Sequence, residues 1–195
     1  FSITRDPIAG SARVDSNGNV SFDPGSDFQS LAAGEQQVVT FDLAVTDSQG
    51  ATDTKTVSVT VTGVEDAPVV TGTFTGVTAE DGTLTASGTL GISDVDSDND
   101  PVFADETITG TYGEAVLVNG SWTYTLDNAS NAVQALDDGE QVTDIFTFTA
   151  SDGTMQNLVI TITGAQDEPV VTGILAGSVE EDTTTSVTGS LAISD

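Results

Sequence analysis

Residues 56–94 laid over residues 157–195 without a gap share 18 identities in 39 positions, a register of 101 residues. The match includes Thr60-Val-Thr-Gly63 over Thr161-Ile-Thr-Gly164, Pro68-Val-Val-Thr-Gly72 over Pro169-Val-Val-Thr-Gly173, and Glu80-Asp81 over Glu181-Asp182. It closes on Ile92-Ser-Asp94 over Ile193-Ser-Asp195. A fixed period of that length makes each repeat a domain-sized unit, so the fold has to close within about 100 residues. A looser echo, with small gaps, pairs Leu31-Ala-Ala-Gly-Glu35 with Leu136-Asp-Asp-Gly-Glu140 and the run 41–47 with 146–152. The spacing divides the chain into the later, C-terminal part of one repeat (1–64), one complete repeat (65–166) and the first strands of a third (167–195).

Within each repeat the hydrophobic period is two. Val57, Val59 and Val61 alternate with Ser and Thr, as do Trp122, Tyr124 and Leu126, and Phe146, Phe148 and Ala150. Helical periodicity is almost absent, so these runs predict half-buried antiparallel strands. For the complete repeat we expect seven strands, at about 69–78, 84–93, 106–112, 114–118, 121–127, 142–150 and 156–163. Seven short strands in about 100 residues indicate a β-sandwich, and the fold class is all-β with tandem antiparallel sandwiches. Trp122, Tyr124, Leu126, Phe146, Phe148 and Ile160 are the expected core. Asn17-Gly18 and Asn119-Gly120 stand between such runs, where a two-residue hairpin needs both central residues at positive φ.

Charge excludes most activities. The chain has 31 Asp and Glu against 3 Lys and Arg, a formal charge of −28, and has neither His nor Cys. So anionic a surface repels phosphate backbones and lipid headgroups, which argues against nucleic-acid binding and electrostatic membrane association. No apolar run approaches the roughly 20 residues that span a bilayer as a helix. Without imidazole or thiol there is no Ser-His-Asp triad, no thiolate nucleophile, no zinc site of nitrogen and sulfur, and no disulfide. Inorganic cations are the natural partners.

Strand direction places the acids. The strand starting near residue 69 leaves the linker, so the turn with Glu80 and Asp81 lies at its far end. The next strand returns, bringing the loop Asp94-Val-Asp96-Ser-Asp98-Asn-Asp100 beside the linker. The last strand must finish at the following linker, so Asp152-Gly153 shares an end with the 94–100 loop. Asp137, Asp138 and Glu140 then share the other end with Glu80. Each junction between repeats is expected to gather carboxylates from turns, loops and the linker itself. Oxygen donors alone, converging in number, suit Ca2+ better than Mg2+ or softer metals. Asp94-x-Asp96-x-Asp98, with Asp105 at the twelfth position, resembles the opening of an EF-hand loop, but Asn99 replaces the turn glycine and no helix flanks it.

The segments Gly120-Ser-Trp-Thr-Tyr-Thr-Leu126, Leu136-Asp-Asp-Gly-Glu140, Phe146-Thr-Phe-Thr-Ala-Ser-Asp152-Gly153 and Ile160-Thr-Ile-Thr-Gly164 resemble the VCBS and cadherin-like repeats of large bacterial adhesins, including those of RTX type. The likeness covers almost the whole chain and implies an Ig- or cadherin-like sandwich. Mapped residue by residue, it implies calcium ligands at Glu80 or Asp81, at Asp137 and Glu140, at the linkers Glu65-Asp66-Ala67-Pro68 and Asp167-Glu168-Pro169, at Asp94 and Asp96, and at Asp152. Asp98 joins them from the same loop, and Asp195 as the counterpart of Asp94 one repeat on. The sequence departs from the pattern where Leu31-Ala-Ala-Gly-Glu35 lacks the Asp, where Gln166 opens the second linker, and where Asp152-Gly153 is one residue tighter. The junction near residue 65 is therefore expected to hold fewer ions on that side.

These readings point to a non-catalytic extender: a calcium-stiffened stalk of repeats holding an adhesive domain away from a bacterial surface, hence secreted or on the cell surface. The alternative is a cadherin-like module that binds a polysaccharide or a protein, for which an exposed aromatic or apolar patch would be the mark. Two carboxylates suffice for glycoside hydrolysis, but among 31 acids some pair falls at any chosen separation. The expected partners are calcium ions and neighbouring repeats of the same chain. The partial end repeats leave two arrangements open: continuation into a longer chain, or head-to-tail donation of the 167–195 strands to residues 1–64 of another copy.

Overall fold

The computed structural model describes residues 1–96, 100–174, 176–183 and 186–194. Among the described residues there is no helix, hence none long and apolar enough to cross a membrane. The strands, in chain order, are β1 (Ser2–Arg5), β2 (Ser11–Val14), β3 (Val20–Asp23), β4 (Gln36–Thr46), β5 (Thr52–Thr62), β6 (Val69–Gly72), β7 (Thr75–Ala79), β8 (Thr85–Ser93), β9 (Glu106–Thr109), β10 (Gly113–Val118), β11 (Ser121–Leu126), β12 (Gln141–Thr149), β13 (Met155–Thr163), β14 (Val170–Gly173) and β15 (Leu191–Ser194). The all-β class follows the period-two pattern. Backbone packing gathers the chain into two compact units, Phe1–Gly72 with Thr89–Ala104 and Phe148–Gln156, and Thr73–Gly88 with Asp105–Thr147 and Asn157–Asp195.

In the first unit β4 is flanked by β1 and β5, all antiparallel, with Gln36↔Thr62 through Thr46↔Thr52 in unbroken register. Phe28, Leu31 and Val39 form its core with Ala9, Phe22 and Val61 against them. Phe22 stacks on Phe41 at 6.4 Å and meets Phe28 edge-on at 6.3 Å. Here β6 pairs with the second half of β8, Val69↔Ser93 to Gly72↔Leu90.

In the second unit β10 sits between β9 and β11, and β7 runs parallel to β13, Thr75↔Val159 to Ala79↔Thr163. The expected strand at 69–78 is thus two: β6 is antiparallel to β8, and after a break at Thr73 and Phe74 the chain joins a different partner. Gly72, at φ 127°, makes the break; a Cβ there would lie 2.0 Å from the Thr89 carbonyl. Side chains of β11 and β13 meet in the core. Trp122, 1% exposed, packs on Gly76 and Gly88 beside Ile160 and donates its indole N–H to the Thr73 carbonyl at 2.8 Å. Tyr124 lies 5.6 Å from Phe146. All six expected core residues are buried.

The hairpins differ from one another. Asn119 (φ 48°) and Gly120 (φ 73°) form the expected two-residue loop between Val118 and Ser121. Asn17-Gly18 does not, because β2 and β3 close at Val14↔Val20 and leave five residues between them. The Asp15 carboxylate captures this loop, accepting the N–H groups of Asn17 and Asn19 at 2.8 Å and the Asn19 amide at 2.7 Å. A side-chain acceptor two residues upstream outcompetes the tight turn.

Candidate metal centre

Asp94 and Asp96 follow β8. The Asp94 Oδ1 accepts the Asp96 N–H at 3.0 Å, an Asx turn that curls the chain after the strand. Asp96 is 4% exposed, and its Oδ2 accepts the N–H of Asp66 in the linker at 2.8 Å. The remaining oxygens, Asp94 Oδ2 and Asp96 Oδ1, are buried and accept no hydrogen bond among the described residues. Buried carboxylate oxygens are costly unless a donor or a cation compensates them. Two such oxygens two residues apart, with no Lys or Arg bonded to either, fit a hard divalent cation. Asp66 is half-buried and Glu65 exposed. Asp152 belongs to the same unit, but its carboxylate turns into its own turn. Its Oδ1 accepts the Thr154 N–H at 2.9 Å and its Oδ2 the Thr154 hydroxyl at 2.8 Å, and these bonds hold its pKa below the ordinary carboxylate range.

The other expected ligands lie in the second unit. Glu80 is 3% exposed; its Oε1 accepts the Gln134 amide at 2.9 Å and its Oε2 the Ala165 N–H at 3.0 Å, which ties the end of β7 to the second linker. Asp81, at φ 51°, exchanges two bonds with Asn128, at 2.7 and 3.0 Å. Glu140 Oε2 accepts the Asp137 N–H at 3.1 Å. Gln134, Leu136, Asp137, Asp138, Ala165 and Asp167 line a hollow of about 210 Å3. Asp98 and Asp195 fall outside the described residues. Among the described residues no three acidic side chains converge as a ready-made metal cluster; the carboxylates of Asp94, Glu140 and Asp152 each accept a bond within their own turn. Asp105, the twelfth position of the EF-hand-like series, accepts the Asn119 N–H at 2.7 Å in the β10–β11 hairpin.

Two positions escaped the sequence reading. Gln134 secures Glu80 and bears no signal beyond being an amide in a turn. Asp144 carried one: it alternates inward with Phe146 and Phe148. It is 4% exposed and accepts the N–H groups of Thr111 and Tyr112, both at 2.9 Å, and the Tyr124 hydroxyl at 3.3 Å. Burial first, then the Asp144 charge, push the pKa of the Tyr124 phenol well above its usual value. The cluster is a pin holding the 110–113 loop.

The repeat extends to single atoms. Gly34 N–H to the Gly63 carbonyl (3.1 Å) and Gly63 N–H to the Glu35 carbonyl (2.8 Å) recur as Gly139 to Gly164 (3.1 Å) and Gly164 to Glu140 (2.9 Å). Glu35 caps Ala32 as Glu140 caps Asp137. The pair β14–β15 repeats β6–β8 residue for residue, Val170↔Ser194 to Gly173↔Leu191, and Gly173 is also at φ 127°.

No curated protein sequence matches the chain. Solved structures that match include PcdhgB3 EC1-4, at 12% identity and a TM-score of 0.41 over 98% of this chain and 49% of that one. Another is mouse protocadherin-24 EC1-3, at 16% identity and a TM-score of 0.34 over 84% of this chain and 57% of that one. The chain therefore spans about half the length of the solved chains it matches. Residues 1–60 match the bacterial Ig domain family. Residues 65–164 match the bacterial cadherin-like domain family, and the chain belongs to that family.

Proposed function

We propose that the chain is a calcium-stabilised extender segment of a bacterial cell-surface adhesin of RTX type, secreted and non-catalytic, in which Ca2+ stiffens the junctions between successive repeats. The observation that carries this reading is the pair of buried, unpaired oxygens on Asp94 and Asp96, next to a linker amide. Asp94 and Asp96 would hold the ion, with linker acids Glu65 and Asp66 nearest in sequence. Glu80, Asp137, Glu140 and Asp167 would serve the second linker. The bound ion supplies positive charge that neutralises oxygens the fold has already desolvated. Residues 1–64, 65–166 and 167–195 are then successive segments of a repeated stalk. Burial of Trp122, Tyr124, Phe41, Phe146 and Phe148 supports a scaffold over a sugar-stacking surface.

Calcium titration by calorimetry, paired with thermal melting, tests this. An ion that binds only the folded chain stabilises it by about 4 kcal/mol at a thousandfold excess over Kd. Chelation at fixed ionic strength is expected to lower the melting temperature by several degrees. An identical melt with no heat of binding contradicts the reading.

A further inference from the structure

Asp96 divides its carboxylate between two tasks. Its Oδ2 holds the Asp66 N–H at 2.8 Å, while its Oδ1 is buried and unpaired. The Asp94 Oδ1 in turn holds the Asp96 N–H at 3.0 Å, leaving its own Oδ2 buried and unpaired. A continuous bonded path therefore runs from the two unpaired oxygens to the linker backbone. At Asp66 the group on that path is the main-chain N–H rather than the carboxylate.

We infer that Asp96 is a positioning residue, which converts occupancy of the Asp94–Asp96 oxygens by a divalent cation into capture of the linker at the Asp66 amide. The inference rests on the calcium reading above. When the cation is absent, two buried anions repel, and the Asp96 carboxylate relieves the repulsion by turning toward water, which releases the Asp66 N–H. When it is present, the attraction that holds Asp96 Oδ1 fixes the plane of the carboxylate and leaves Oδ2 aimed at residue 66. A charge-assisted N–H···O bond is stronger than a neutral one, so the linker is held most firmly at this amide. The cation then orders the hinge through a main-chain bond at residue 66.

Amide hydrogen exchange at residue 66, followed by NMR on the 195-residue chain with calcium and with chelator, tests the relay alongside calorimetry. Calcium is expected to slow exchange at Asp66 by about tenfold or more. Asp66→Ala, at calcium saturation, is expected to keep that protection, since the N–H remains. Asp94→Asn leaves the Asp96–Asp66 bond and its atoms in place but removes charge from the site, and is expected to reduce the calcium dependence. Asp96→Ala is expected to abolish protection at residue 66, with the Ile160 amide serving as the control for folding. If calcium binds with measurable heat while exchange at Asp66 is unchanged, the relay is wrong and the calcium reading stands. The relay is also overturned if Asp94→Asn leaves the full calcium response. Absence of both heat and protection overturns the calcium reading, and the relay with it.

Discussion

Asp144 and Asp42 are both bonded carboxylates, but their surroundings give them opposite weight. Asp144 is buried and accepts three donors, so its loss leaves the Thr111 and Tyr112 N–H groups and the buried Tyr124 hydroxyl without that acceptor. Asp144→Ala is expected to cost about 2–4 kcal/mol, a buried, multiply bonded charge being far harder to remove than a surface one. Urea denaturation followed by fluorescence of Trp122, the single tryptophan, measures it within the same unit. Asp42 is bonded on an exposed sheet face. The Arg5 guanidinium at 2.7 Å, and then the Thr56 hydroxyl, pull its pKa down to about 2. A carboxylate with a depressed folded value stabilises above its unfolded value, 3.8, and that contribution disappears as pH falls through about 2. Arg5→Gln is expected to raise the Asp42 midpoint toward 3.8 in an NMR carboxyl titration, with little effect on stability at neutral pH.

Turn chemistry decides the elements. Gly120, at φ 73°, completes the tight hairpin into Trp122, and Gly120→Val is expected to cost about 1–2 kcal/mol because a β-branched residue resists that region. Trp122 fluorescence in a denaturant series checks it. The strands and the core were legible because alternation reports which face is buried, and Trp122, Tyr124 and Leu126 obeyed it. Asn119-Gly120 was legible for the same reason of local geometry. The Asp15 loop was not, because a dipeptide says nothing of a carboxylate two positions earlier that takes the same N–H groups. Nor was the break at Gly72, since the exchange of partners from β8 to β13 is set by residues almost ninety positions away. Among the candidate ligands the sequence placed acids near the linkers, as Asp66 with Asp96 and Glu80 with Ala165 illustrate. It could not foresee that Asp152 and Glu140 would bind their own turns or that Asp81 would pair with Asn128, because such bonds depend on backbone direction and not on composition. Asp144 went unread although it shares the inward register of Phe146 and Phe148.

On the stalk reading proposed above, a chain at −28 with linkers only about five residues long would bring like charge together at every joint. The pyrrolidine rings of Pro68 and Pro169 fix one torsion each and leave the rest of the hinge free. The joints are also unequal, since Ala32 and Ala33 stand where the equivalent corner carries Asp137 and Asp138. On the calcium reading proposed above, the corner near residue 65 offers fewer oxygens, and Asp94 and Asp96 would bear more of its cation binding. Small-angle scattering of the 195-residue chain, with calcium and with chelator at equal ionic strength, tests the central claim most directly. Calcium is expected to narrow the distribution of maximum dimensions about a single value, and Asp94→Ala with Asp96→Ala is expected to remove that narrowing while Trp122 fluorescence stays native. If the maximum dimension and its spread are the same in calcium and in chelator, the junctions are not stiffened by the ion, however tightly it binds.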